Sequence, residues 1–194
     1  MHHIYHTKGI VLSSRNVGEA NKSLSIYTRE LGLVRAQVQG IRLQRSKLRY
    51  SLQDFSYAKI DLVRGKEVWR VTSATNETSF PYARSGKNTS LFIARLTSLI
   101  SRLCIGEEAN EKVFDIILQA FLIIDDSNFD DGTLDALELH TVLSVVYELG
   151  YVGESEILDE YLGKDFNEEK IATILKDRKS IISHINKALR ESQL

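Results

Sequence analysis

Leu33-Val34-Arg35-Ala36-Gln37-Val38-Gln39 alternates apolar and polar residues with a period of two. Val34, Ala36 and Val38 fall on one side of an extended chain and Arg35, Gln37 and Gln39 on the other, the pattern of a strand with one packed face and one free face. Working outward, Gly9–Ser14, Lys22–Thr28, Phe55–Val63 and Glu67–Ser73 have the same strand character, punctuated by Gly18 and Gly32. Arg64-Gly65-Lys66 reads as a hairpin connection in which Gly65 supplies the positive φ that such turns use. Five strands in about eighty residues, with one longer connection after the third, predict a small closed or nearly closed β-barrel.

The only proline, Pro81, marks the point where alternation stops and helical periodicity begins. Leu91, Phe92, Leu96, Leu99, Ile100 and Leu103 form one stripe that ends near Gly106. Glu107, Glu108 and Glu111 are expected to open the next helix, where the dipole favours carboxylates. Val113–Ile124 is apolar nearly all round and is expected to be the central helix of a bundle. At about half the roughly 20 residues a membrane span needs, and interrupted by Asp115 and Gln119, it is not read as a span. A third helix, Leu134–Leu149, should stop at Gly150, and shorter helices are expected at Glu154–Leu162, Glu168–Leu175 and Arg178–Leu189. The domain boundary is accordingly placed between residues 79 and 80.

The near-neutral net charge of −1 conceals two opposed segments. Residues 1–80 hold 13 Lys/Arg against 6 Asp/Glu, whereas residues 81–194 hold 12 against 20. No acid lies between Glu30 and Asp54, a stretch that contains Arg35, Arg42, Arg45, Lys47 and Arg49 and closes on Tyr50. Such a run concentrates positive potential and attracts phosphate backbones. The missing acids and the position in a loop after a strand favour this over the bland reading, an arginine-solubilised barrel surface. Lys22 is a further candidate, with Lys8, Arg15 and Arg29 weaker because the side of the barrel each occupies is not legible.

In order and spacing, three groups of residues resemble the bacterial recombination mediator family RecO. They are Thr7-Lys8-Gly9-Ile10-Val11-Leu12, then Gly18 to Leu24 with Tyr27 to Gly32, then Gly40-Ile41-Arg42 with Ser46 to Arg49 and Leu52 to Phe55. Leu137-Glu138-Leu139 and Leu149-Gly150-Tyr151 extend the resemblance more loosely. It implies an α+β chain with an N-terminal five-stranded OB-fold barrel, residues 1–79, that binds DNA, followed by an all-α helical domain, residues 80–194. It further implies binding of single- and double-stranded DNA, annealing of complementary strands, and help in loading RecA, with RecR and single-strand-binding protein as partners. Family members often carry a zinc-binding cysteine knuckle after the Leu-Gly-Tyr position, yet Val152–Leu162 contains no cysteine, so the zinc module is expected to be missing. The chain is also shorter than the family implies.

Tyr27, Tyr50, Phe55, Tyr57 and Trp69 are candidate stacking platforms for bases. Most are expected in the core, Trp69 and Phe55 above all, with Tyr50 favoured for binding by its basic neighbours. Asp125 to Gly132 invites a calcium-loop reading, but with Asp126, Asn128 and Asp130 as ligands the sixth position is Asp131 and the twelfth Leu137, so a helix-capping loop is preferred. His2, His3 and His6 could chelate a divalent ion, though on a flexible terminus with no carboxylate nearby to orient the rings. Cys104 reads as a small buried hydrophobe, and the absence of an apolar leader argues for the cytoplasm. No phosphate loop, nucleophile elbow or metal-spaced cluster is present, so no cofactor, metal or catalytic residue is expected. The alternative function is an adaptor whose basic surface meets an acidic protein partner.

Overall fold

A computed structural model describes residues 3–81, 86–126, 129–153, 160–163 and 166–191. The chain divides into two compact units, residues 1–80 with 104–114, and residues 81–103 with 115–194.

In the first unit β1 (Ile4–Val17), β2 (Asn21–Thr28) and β3 (Gly32–Val38) form a meander, followed by a one-turn helix α1 (Leu48–Ser51) and the hairpin β4 (Tyr57–Arg64) and β5 (Trp69–Thr78). The strands close in the order β1-β2-β3-β5-β4. β3 and β5 pair in parallel and every other pair is antiparallel. This order is the OB-fold barrel. Closure depends on the length of β1: Ile4–Ile10 pair with β4 while Gly9–Val17 pair with β2, and an irregularity between Val11 and Ser13 bends the strand between its two partners. Val34, Ala36 and Val38 pack inward with Val11, Leu24, Ile26, Ile60, Leu62 and Val71, as the alternation requires.

Two local expectations fail. Phe55 is outside β4, in a turn at φ 65°, where the Ser56 hydroxyl donates to the carbonyls of Ser51 and Gln53 and holds the chain back from extending. The β4–β5 turn runs over Gly65–Val68, and Gly65 is not among the positive-φ residues. Glycine is needed there for space, since a Cβ would stand 2.5 Å from the Val68 carbonyl oxygen.

The helices are α2 (Lys87–Leu103), α3 (Glu111–Asp126), α4 (Asp131–Glu148), α5 (Glu168–Lys176) and α6 (Arg178–Glu191). Glu107 and Glu108 precede α3 instead of opening it, because Asn110 takes the capping position and its side chain accepts from the Val113 amide. Nor is α3 enclosed all round: Asp115, Gln119 and Leu122 are at least partly exposed. The most deeply enclosed helix is α4, with Leu134, Ala136, Leu137, Leu139, His140, Thr141, Leu143, Ser144, Val145 and Val146 all buried. Asp130 caps it by accepting from the Thr133 amide, a bond that also holds its carboxyl below the usual range. At the other end Gly150 donates to Tyr147 and Tyr151 to Val146, the paired bonds of a glycine C-cap. The expected helix at Glu154–Leu162 lies mostly outside the described residues, and Glu160–Leu162 is not helical. Among the described residues no helix is long and apolar enough to cross a membrane.

Candidate nucleic-acid interface

Facing residues of neighbouring strands share a side of the sheet, so the register of the barrel decides which polar residues meet. Arg15 on β1 lies opposite Ser23 on β2, Ser23 opposite Gln37 on β3, and Gln37 opposite Arg70 on β5. The next row along holds Ser13, Ser25 and Arg35. Arg15, Arg35 and Arg70 are exposed, and neither row contains a carboxylate. At strand spacings near 4.8 Å the first row spans about 14 Å of barrel surface.

Beyond Val38 the chain turns repeatedly. Asn21 accepts from the Gly40 amide, Leu43 donates to Gly40 and Ser46 to Leu43, and Leu48 of α1 packs against the barrel core. These bonds leave Arg42, Arg45, Lys47, Arg49 and Tyr50 on the outside, Tyr50 exposed to 68 %. Arg42 also donates to the Gly18 carbonyl at 3.0 Å, tying this connection to the β1–β2 turn. Among the described residues Arg15, Arg35, Arg42, Arg45, Lys47, Arg49 and Arg70 have no carboxylate partner, whereas Arg29, Lys59 and Arg64 pair with Glu111, Glu77 and Glu107.

Lys22 stands apart from this face. It shares the inward parity of Leu24 at the end of β2, is half-buried, and donates to Ser14. Tyr27 and Trp69 are buried, Tyr27 stacked 6.2 Å from Phe114, so neither offers a ring to a base. Burial, with the Cys104 thiol beside it, pushes the Tyr27 hydroxyl up. Cys104 itself is half-buried, its thiol also pushed up by burial. His6, expected on a flexible terminus without a carboxylate, lies in β1 opposite Asp61 and is 2.6 Å from it. His2 and Asn128 lie outside the described residues. Among the described residues no cluster of three or more His, Cys, Asp or Glu could hold a metal.

Sequence alone neither singles out Arg70 nor places Arg15. The signal that locates both is strand register, above all the parallel pairing of β3 with β5, which sequence periodicity does not carry.

Residues 1–80 match the family model described as Recombination protein O N terminal. The chain is 28 % identical over 138 residues to a DNA repair protein RecO of Dehalococcoides mccartyi, covering 71 % of this chain and 54 % of that protein. It is also 28 % identical over 148 residues to that of Pelotomaculum thermopropionicum, covering 76 % and 56 %. With the RecO of Rubrobacter xylanophilus it shares 29 % over 133 residues, covering 69 % and 53 %. The chain spans about half the length of the curated relatives it matches.

Proposed function

We propose, for a chain whose residues 1–80 are a RecO-type N-terminal domain, that it is a non-catalytic recombination mediator of DNA repair acting in the cytoplasm. The observation that carries this reading is the pair of carboxylate-free rows across the outer face of β1, β2, β3 and the start of β5, with Arg15, Arg35 and Arg70, continued by the cations of the 39–56 connection. The β2–β3 face and adjoining loops are where OB-fold barrels take up oligonucleotides.

Arg42, Arg45, Lys47 and Arg49 neutralise phosphates and release condensed counterions, so affinity is blind to sequence and falls steeply with salt. Tyr50, exposed beside Arg49, gives one base a ring to stack on. Annealing of complementary strands needs no active site: a cationic surface that holds two polyanions lowers their repulsion and raises their effective concentration, and base pairing does the rest. Single- and double-stranded DNA are both substrates of such backbone binding. Delivery of the bound strand to RecA, with RecR and single-strand-binding protein as partners, rests on the family alone.

The test is binding to single-stranded and duplex oligonucleotides over a salt titration, followed by an annealing assay with and without single-strand-binding protein. Reversing Arg42, Arg45, Lys47 and Arg49 to Glu in a chain that still folds is expected to abolish binding at moderate salt. Unchanged DNA affinity in that variant would overturn the reading and leave the surface to an acidic protein partner.

A further inference from the structure

Arg64 ends β4 and Trp69 opens β5, so the two flank the Gly65–Val68 turn, and both reach one carboxylate. Trp69 Nε1 donates to Glu107 Oε1 at 2.8 Å, and Arg64 Nη1 lies 3.1 Å from Glu107 Oε2. Each oxygen therefore has its own donor. The Arg64 guanidinium also lies 5.4 Å from the Trp69 ring centroid, and the ring packs edge-on to Tyr5 at 5.0 Å, only 3 % exposed. One donor is thus fixed by the barrel core and the other is steered by the ring face.

We propose that Arg64 and Trp69 Nε1 form an oxyanion site for one phosphodiester of a bound single strand, and that Glu107 fills this site until the strand arrives. This rests on the DNA-binding reading above and adds to it a subsite and an internal competitor.

Three observations lead there. A guanidinium and a neutral N–H set on separate oxygens suit any anion that presents two oxygens, phosphodiester or carboxylate. The pair is open to exchange, since the Arg64 and Glu107 side chains are 64 % and 38 % exposed. The site lies at the rim beside the acid-free rows: Arg64 shares the inward parity of its partner Trp69 at the end of the β4–β5 ladder, while the next residue, Arg70, ends the outward row that begins at Arg15. A strand laid along that row reaches Arg64 by rounding the barrel rim beside the Gly65–Val68 turn, which carries the exposed Glu67. In the exchange one anion leaves as another enters, so a lone phosphate gains little over Glu107. A strand already held by Arg15, Arg35 and Arg70 presents its next phosphate at high effective concentration and wins.

Trp69 is the only tryptophan, so its emission reports displacement of Glu107 directly. The full chain is titrated with an oligothymidylate at low salt, alongside an oligoglutamate of equal charge. Glu107→Gln and Glu107→Ala are expected to bind the oligothymidylate about 1.5- to 5-fold more tightly, the size of one competing surface ion pair. Wild-type emission should move on binding toward that of unliganded Glu107→Ala, and adding Arg64→Gln should remove the gain. Glu107→Gln keeps an acceptor for Trp69, so it carries the test if the alanine variant unfolds. DNA binding by the wild type with unmoved emission and no gain in the Glu107 variants would overturn the subsite while leaving the DNA reading intact. An emission shift with oligoglutamate alone would hand the site to an acidic protein. No DNA binding by any variant would end both readings.

Discussion

Gly32 and Glu108 meet backbone to backbone: a Cβ at Gly32 would stand 2.3 Å from the Glu108 carbonyl oxygen. The β2–β3 turn thereby presses on the segment 104–114, which Phe114 anchors further by stacking on Tyr27. Gly32 also sits at φ +67°, where an L side chain is strained. Gly32→Ala should destabilise the first unit by roughly 2–4 kcal/mol, of which about 1–2 is the left-handed conformation and the rest displacement of backbone. Denaturant titration followed through Trp69 emission measures it, and a loss no larger than the conformational part, about 1–2 kcal/mol, would mean the segment lifts off freely.

Gly150 provides the control. Its φ is +77°, yet among the described residues no atom beyond its own neighbours along the chain lies within 4 Å of where a Cβ would be, so Gly150→Ala bears the conformational cost alone. A loss of about 1 kcal/mol is expected, smaller again for Gly150→Asn, which tolerates the left-handed region. Thermal unfolding by circular dichroism reads both variants, and a cost equal to that of Gly32→Ala would contradict the role given to Glu108.

Burial holds the His140 imidazole below its ordinary value near 6.5, and the charge of Lys170 adds to this against hydrogen bonds to the Tyr161 and Gly163 backbone. The unfolded chain therefore takes up this proton first as pH falls. Stability should drop as pH is lowered through about 6.5 and continue to drop until the folded imidazole protonates. His140→Gln should flatten that slope in urea titrations between about pH 7 and 5, and an unchanged slope would assign it to other groups.

Arg15, Arg35 and Arg70 share one face only if the barrel register is as described. Replacing all three with Gln should reduce the slope of log affinity against log salt for a single strand by about 2, at roughly 0.7 for each phosphate no longer neutralised. Lys22→Gln, from the inward-facing end of β2, should leave the slope unchanged. A triple variant indistinguishable from Lys22→Gln would separate the strand face from the DNA path.

Much of the barrel was legible because period-two alternation is a local signal: residues 33–39 show it directly, and β3 spans Gly32–Val38. Elsewhere local signals competed. The strand-like residues at Phe55 and Ser56 were overridden by hydroxyl-to-carbonyl bonds within a turn, and the carboxylates at Glu107 and Glu108 looked like a helix start although Asn110 supplies the cap. By composition α3 is the more apolar helix, yet α4 is the enclosed one. Burial depends on what surrounds a helix, and composition does not reveal that.

By itself the sequence determined the wet and dry faces of the strands, the glycine stop of α4 and the acid-free stretch from Glu30 to Asp54, because each is a relation between residues close along the chain. Only the tertiary structure decided that Arg15 and Arg70 join Arg35, that Lys22 does not, and that Glu107 lies between Arg64 and Trp69. Strand register is set by backbone hydrogen bonds that almost any residue can make, so the residues it brings together leave no common mark in the sequence.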